Sequence, residues 1–311
     1  MKSQVIIAVL LFFAAGTARA AKFKSYESGV CTFRLHGCEL TRPVERAIVF
    51  GVSRIFETYR QSFGFSYPDN FKIQITIFIN KDRFVEYQKE QGKKSIADSA
   101  YYSVRFREGV VYWRTYSKKT KDAKDMVSAV FHEVSHMLLM TEVRGIPLWI
   151  NEGLAEYFDG LNVFGENRRV YLHEHHHRWI KRWNRNSFPV ELDEYLSLKH
   201  KEWHKLNREV ENCNAAYTMG YSLVYFMMSR SSTEKVLKEL LWDFKRHGRK
   251  ANSIAIINKH YRGGLENFEK QWRKWIPKAR SYRPLRSLRT HSERTKEDAD
   301  KNSQAANSNS N

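Results

Sequence analysis

Cysteine, acidic residues and long apolar runs are all scarce in this chain of 311 residues. Its 3 cysteines are too few for a dense disulfide scaffold. Only one apolar stretch is long enough to consider as a membrane segment, which excludes a bundle of membrane-spanning helices. Acidic residues number 34 against 53 Lys and Arg, so the formal net charge is +19 and the sequence pI is about 9.8.

Apolar and aromatic side chains are plentiful, at 42% and 14% of the residues. That content supplies a packed core, so the chain is not mainly disordered. The length predicts one or two domains. The basic balance by itself indicates a polyanion as a partner.

Residues 1–20 have the composition of a secretory signal. Lys2 precedes an apolar run from Val5 to Gly16, and Ala18-Arg19-Ala20 supplies small residues before a cleavage site. An uncleaved anchor is the weaker alternative, because the run is short for a membrane span. We therefore expect an exported chain, periplasmic or secreted, that begins near Ala21 and has no transmembrane segment after cleavage. Loss of Lys2 and Arg19 lowers the net charge from +19 to +17.

Export would make the cysteines relevant to disulfide formation. Six residues separate Cys31 from Cys38, and such a short loop can close as a disulfide in an oxidising compartment. Cys213 would then remain as a buried free thiol, although pairing with Cys213 stays open.

The hydrophobic pattern predicts an α+β fold, with strands first and helices afterwards. We expect a sheet lobe over about 21–121, a helical lobe over about 122–276, and a basic, then polar, disordered tail over 277–311. The elements predicted for the sheet lobe are helix 40–64, strand 71–79, helix 81–91, and a hairpin of strands 101–106 and 110–116. The helices predicted for the other lobe are 122–141, 148–158, 172–184, 190–197, 214–229, 232–246 and 264–276.

The first of these later helices contains the motif His132-Glu133-Val134-Ser135-His136. Two histidines four residues apart lie on one helix face, so both imidazoles can reach one ion. Glu133 lies beside that face, where a carboxylate can accept a proton from an activated water instead of binding the metal. Two partly exposed histidines without a metal are the alternative for the motif alone.

The next predicted helix supplies a third ligand. Glu152 and Glu156 lie one turn apart on the face opposite an apolar stripe. A short connection between two antiparallel helices would return Glu152 to the histidine pair. Two His and one Glu with a fourth position open are what a catalytic zinc site requires.

This motif, followed by Trp149-Ile150-Asn151-Glu152-Gly153-Leu154-Ala155-Glu156-Tyr157-Phe158, resembles the gluzincin metallopeptidases, especially the peptidase MA-like domain family. The resemblance covers roughly 71–276. It implies a zincin-like fold with the metal site between the lobes, Zn²⁺ bound by His132, His136 and Glu152, and Glu133 as general base. Tyr217-Thr218-Met219-Gly220 is similar to the Tyr-x-Lys-Gly helix of the aminopeptidase-like branch, which implies that Tyr217 donates to the tetrahedral intermediate.

The chain departs from that branch at several positions. Fifteen residues lie between His136 and Glu152, Met219 replaces the usual Lys, and the Gly-x-Met-Glu-Asn element is absent. These departures favour an endopeptidase over an exopeptidase. Ala155 stands where other gluzincins have an Asp that orients a ligand histidine, so Glu156 is the candidate substitute in that role.

The residues and the resemblance together imply an exported zinc endopeptidase that acts on peptides or proteins. A catalytically silent protein of the same fold that binds anionic envelope surfaces is the alternative, and hydrolysis of a non-peptide amide is a third. As a further hypothesis, the strand 110–116 could bind an extended peptide by edge pairing.

Two other features have simpler explanations. The four histidines at 173 and 175–177 could bind a second metal, but an amphipathic basic helix explains them better. The basic residues are spread along the chain without a nucleic-acid-binding motif, so we expect no nucleic acid partner, and anionic envelope surfaces are the more plausible contact.

Overall fold

The computed structural model of the protein describes residues 23–117, 119–164, 169–210, 213–280 and 282–284. The expected signal segment 1–20 and most of the expected tail lie outside these residues. Within them, none of the helices combines the length and the apolar character needed to cross a membrane.

The N-terminal part is a five-stranded sheet with two helices. Its spatial order is β1-β2-β3-β5-β4, and β2, β3 and β5 run parallel, whereas β1 and β4 pair antiparallel to their neighbours. The elements in chain order are β1 (Phe23–Ser28), β2 (Cys31–His36), α1 (Arg42–Glu57), β3 (Ile73–Phe78), α2 (Lys81–Glu90), β4 (Ala100–Ser103) and β5 (Glu108–Tyr112).

The remainder is mostly helical, apart from one small two-stranded sheet of β6 with β7. Its elements in chain order are α3 (Lys124–Glu142), α4 (Leu148–Asp159), β6 (Arg169–Tyr171), α5 (Glu174–Arg185), α6 (Leu192–Ser197), α7 (His200–Glu209), α8 (Ala215–Met228), α9 (Ser231–His247), α10 (Ser253–His260), α11 (Gly264–Trp275) and β7 (Tyr282–Pro284). The expected α+β class, with the sheet before the helices, is confirmed.

One large core joins the sheet to the helices. The isoleucines of β3 are buried because alternate side chains of this central strand point to the same face. Helix α3 packs against both the sheet and α1, and Gly51 of α1 lies against the Phe131 ring. The Tyr59 hydroxyl, just after α1, hydrogen-bonds the Ser135 hydroxyl at 2.9 Å. These contacts fix the rotation of α3, which carries the histidine motif.

Helices α4 and α8 approach each other at backbone distance. A Cβ placed on Gly153 would lie 2.6 Å from the Gly220 carbonyl oxygen, and one on Gly220 would lie 2.9 Å from the Trp149 carbonyl oxygen. Neither position has room for a side chain. The two glycines therefore set the distance between the helix that carries Glu152 and the helix that carries Tyr217.

The structure contradicts two expectations for the N-terminal part. Strand β5 lies between β3 and β4, so the hypothesis that strand 110–116 binds a peptide at a sheet edge is wrong, and β4 is the edge on that side. The Cys31–Cys38 disulfide is also wrong, since all three cysteines are buried free thiols. Cys31 opens β2 and Cys38 follows its end. Five strand steps alone span about 16 Å, and a disulfide joins Cα atoms no more than about 7 Å apart.

The beginning of the expected tail is ordered in the structure. After α11, Ile276–Lys278 forms a turn of 3₁₀-helix with Ile276 buried, and β7 then pairs with β6. Folded structure thus continues at least to Pro284, past the expected boundary at 277.

Candidate metal centre

The two histidines of the motif lie side by side on α3. The ring centroids of His132 and His136 are 4.8 Å apart and the rings are nearly perpendicular, at 82°. The spacing of four residues in one helix places them one turn apart on the same face. His136 is buried, while His132 is partly exposed.

Glu152 of α4 completes a group of three ligands. Its Oε2 lies 3.8 Å from His132 Nε2 and 3.5 Å from His136 Nε2. One donor atom from each of the three side chains falls within 4.8 Å of the other two. The structure thus brings together the three residues that the sequence predicted as ligands, and two nitrogens with one carboxylate oxygen are a donor set that zinc prefers.

Asn151, which the sequence analysis did not single out, fixes the His136 ring. Its side-chain oxygen lies 3.1 Å from His136 Nδ1, and its amide nitrogen lies 3.4 Å from Glu152 Oε1. A side-chain oxygen accepts, so Nδ1 carries a proton, and Nε2 is the nitrogen that faces Glu152 and the one a metal could bind once its proton is lost. The buried Asn151 therefore orients two of the three candidate ligands at once.

The charges of the site are strongly coupled. Burial alone would lower the pKa of His136, but the Glu152 carboxylate, together with Glu133 and Asn151, raises it to about 9. Burial opposes the charged form of Glu152 too, yet His136 and His132 hold its pKa below the usual range. An imidazole pair held against a carboxylate in this way could hold a metal ion in place of its protons.

Glu133 lies beside the three candidate ligands and is not one of them. It is 6% exposed, and burial raises its pKa even though His132 and His136 act in the opposite direction. Gly109 of β5 packs directly on it, since a Cβ at Gly109 would lie 3.1 Å from Glu133 Cβ. The sheet thus encloses a carboxyl group whose basicity is increased, which suits a general base.

Tyr217 of α8 lies in the electrostatic field of the same site. Burial, together with the charges of Glu152 and Glu156, holds its pKa well above the usual range for tyrosine. Its half-buried ring packs edge-on against Trp203 of α7, with centroids 5.6 Å apart. The phenol therefore keeps its proton and remains a hydrogen-bond donor. Tyr221 and Tyr225, which follow Tyr217 at intervals of four residues on the same face of α8, are buried in the core.

Glu156, the candidate to orient a ligand histidine, has its carboxylate against a histidine of another helix. Among the described residues, its carboxylate pairs with His176 of α5, at 3.3 Å from Nε2, and Asn151 is the partner of a ligand histidine instead. Burial would raise the pKa of Glu156, but the bond from His176 and the nearby His132 lower it to about 2. His176 Nδ1 in turn lies 2.8 Å from the Thr218 hydroxyl, so this pair links α4, α5 and α8.

The histidines at 173–177 do not form one cluster around an ion. His176 binds Glu156 and Thr218, and His173 directs Nε2 to the Glu156 carbonyl oxygen at 3.1 Å. His175 is exposed, whereas burial lowers the pKa of His177 to about 4. A second group, Glu156 with Asp159 and His173, also has donor atoms within 4.8 Å of one another. Helix α5 otherwise packs as the amphipathic helix that was expected.

Two residues of the site carried signals too weak to find in the sequence. Asn151 directly precedes Glu152, but an Asn on a helix shows no role until its partner is placed. Lys93, in the loop after α2, has its ammonium 3.6 Å from the Tyr101 ring centroid, and it influences the Glu133 carboxyl. Only the packing of the sheet on α3 brings this loop to the site.

A comparison with known protein families and with curated proteins found no match for this chain.

Proposed function

We propose that this chain is an exported zinc-dependent endopeptidase of the gluzincin type, with a zincin-like fold. The observation that carries the proposal is the convergence of His132, His136 and Glu152, with Glu133 enclosed beside them. The hydrogen bond from His136 Nδ1 to Asn151 supports it, because a ligand histidine needs its other nitrogen held.

Zinc fits this donor set better than magnesium or calcium do, since those ions prefer oxygen ligands alone. His132 and His136 would hold the ion through Nε2, and Glu152 through its carboxylate. When bound, the ion would polarise a water molecule and the carbonyl group of the scissile bond.

Glu133 supplies the acid–base chemistry in this proposal. Its buried carboxylate accepts a proton from the attacking water and later donates that proton to the leaving amine. The raised pKa suits the first step, because a stronger base accepts the proton more readily.

Tyr217 is the proposed donor to the oxygen that gains negative charge during the attack. A preorganised donor of this kind typically contributes about 3 kcal/mol to stabilising the transition state. The close approach of α4 to α8 at Gly153 and Gly220 holds the phenol in position relative to Glu152.

The substrate proposed is an extended peptide alongside β4. This strand is the edge of the described sheet next to β5 and packs beside α3. An edge strand offers unpaired backbone groups that can bind an extended chain. Binding through the backbone suits cleavage within a chain. The absence of the Gly-x-Met-Glu-Asn element, which captures a free amine in the aminopeptidase-like branch, agrees with this.

A digestion experiment tests the proposal. The purified chain is incubated with a peptide library after loading with zinc, after treatment with chelator, and as the Glu133→Gln variant. We expect internal cleavage that chelator abolishes, and a loss of about 100-fold or more in kcat for Glu133→Gln with zinc still bound. Glu90→Gln at the exposed end of α2 is the matched control and should leave the activity unchanged.

Two outcomes would overturn this reaction. Cleavage that resists chelation would exclude the metal, and full activity in Glu133→Gln would exclude the general base. Zinc bound at one equivalent without any peptide cleavage would instead favour a non-peptide amide substrate or a silent site.

A further inference from the structure

The turn between β4 and β5 exposes an unusual combination of side chains. Val104, Arg105, Phe106 and Arg107 form the whole turn, and all four are exposed. Val104 is 61% and Phe106 45% exposed, although both are large and apolar. Arg107 has a φ of 51°, a conformation that is unfavourable for a residue with a Cβ.

A third exposed apolar side chain occurs on the helix that packs along β4. Met140, near the end of α3, is 38% exposed. Helix α3 packs along β4, where the Tyr102 side chain lies against Thr141. Three of the large apolar side chains that the described part of the chain exposes thus occur at one end of the β4–α3 pair. We call Val104, Arg105, Phe106, Arg107 and Met140 the hairpin patch.

The charge around the hairpin patch is positive. Arg105 and Arg107 form no ion pair with any described residue, and Arg105 lies over the Phe106 ring instead. The nearest acids in the chain are already engaged. Glu108 is fully buried and accepts hydrogen bonds from Thr76, Tyr87 and Gln91, and Glu142 pairs with Lys245.

We propose that the hairpin patch docks this protein on an anionic phospholipid bilayer, with Val104 and Phe106 entering the headgroup region. Transfer of exposed apolar side chains at the tip of a turn from water into the bilayer lowers the free energy. The arginines beside them can pair with the lipid phosphate groups. Charge complementarity selects the bilayer over a protein partner, since the patch alternates apolar and cationic residues, while Glu108 is buried and paired with Arg34 and Glu142 is paired with Lys245. The inference does not depend on peptidase activity.

Docking at this turn would orient the candidate metal centre. Gly109, two residues after the turn, packs on Glu133, so the patch and the site are connected through one short strand. A polypeptide near the membrane surface would then be the accessible substrate.

Vesicle sedimentation tests the docking. The chain from Ala21 onward, which contains every described residue, is mixed with vesicles of phosphatidylcholine, with or without phosphatidylglycerol. We expect binding only to the anionic vesicles. The double variant Val104→Ser/Phe106→Ser should bind about tenfold more weakly. Arg105→Gln/Arg107→Gln should lose about fivefold per arginine at low salt. Ile96→Ser, which alters an apolar side chain that is 37% exposed in the loop before β4, is the matched control and should bind like the parent chain.

A fluorophore attached to the turn gives a second test, which does not depend on the loss of vesicle affinity in these variants. The native thiols are buried, so an environment-sensitive fluorophore can be attached selectively to Val104→Cys or, as control, to Ile96→Cys. We expect a blue shift with anionic vesicles at position 104 only. Absence of binding by the parent chain, an unchanged affinity in Val104→Ser/Phe106→Ser, or an unshifted fluorophore at position 104 on bound protein would each overturn the proposal.

Discussion

Asn151→Ala should weaken zinc binding without unfolding the protein. Asn151 holds His136 through Nδ1 at 3.1 Å and Glu152 through Oε1 at 3.4 Å. Loss of the first bond leaves a buried N–H group without a partner, which costs about 1–3 kcal/mol. It also frees the ring to rotate away from the geometry that Glu152 requires.

The expected loss of affinity is between about tenfold and 100-fold, which corresponds to about 1.4–2.7 kcal/mol. The unpaired donor destabilises the fold with and without zinc, so the loss of affinity arises from the freedom of the His136 ring to leave the ligand geometry. Alanine favours a helix, and α4 should therefore form as before.

Competition with a chromophoric zinc chelator at fixed pH measures the affinity, and circular dichroism in excess chelator checks the fold. Asn184→Ala is the matched control, because Asn184 donates to the Arg273 carbonyl oxygen on α11, away from the candidate ligands. A folded Asn151→Ala variant whose zinc affinity stays within about twofold of the parent would refute the orienting role of this bond.

Three further predictions concern the fold around the site. Gly153→Ala should lower the free energy of unfolding by about 1–3 kcal/mol, because the added Cβ meets the Gly220 backbone. Thermal unfolding measures this loss, and a melting temperature equal to that of the parent chain would contradict it. Glu156 has a folded-state pKa of about 2, below its ordinary value, so its ion pair stabilises the fold above about pH 4.5 and loses that effect as the pH falls toward 2. The difference in unfolding free energy between the parent and Glu156→Gln, at most about 3 kcal/mol, should therefore shrink from about pH 6 to about pH 3, and a constant difference would contradict this assignment. The thiols should be unreactive until the chain is unfolded, since burial raises the pKa of Cys31 and of Cys38 to about 12. A thiol reagent should count three thiols in denaturant without reductant. A lower count would indicate a disulfide and contradict the prediction.

Local patterns were sufficient to predict the helices that carry the candidate ligands. The expected bounds 122–141 and 148–158 compare with Lys124–Glu142 and Leu148–Asp159 in the structure. Their apolar stripes repeat at the helical period, and the ligand spacing of four residues lies within one helix. Such features depend on neighbours in sequence, so a single sequence contains them.

Elements whose stability depends on distant partners were missed. Strands β1 and β2 were not predicted, because β1 is mostly polar and partly exposed and β2 completes its pairing only with β3, about forty positions later. Helix α7 was missed since Trp203 is its one buried side chain, which leaves no apolar periodicity.

The same distinction applies to the partners of the site residues. Glu156 was the candidate to orient a ligand histidine because Ala155 stands where other gluzincins have an Asp in that role. Its partner is set by the place where α5 packs, which brings His176 to it. The position of β5 inside the sheet likewise depends on the order of strands, and alternation along one strand does not reveal that order.

The candidate metal ligands lie close together in the sequence, whereas Gly109, which packs on Glu133, and Tyr217 lie far from them. His132, His136, Asn151 and Glu152 all fall between positions 132 and 152, so closing this loop costs little chain entropy. The parallel pairs of β2 with β3 and of β3 with β5 close much longer loops, which is slow in folding. During folding, the helical hairpin of α3 and α4 should therefore acquire affinity for an ion before the sheet covers Glu133, so that metal binding precedes the assembly of the general base.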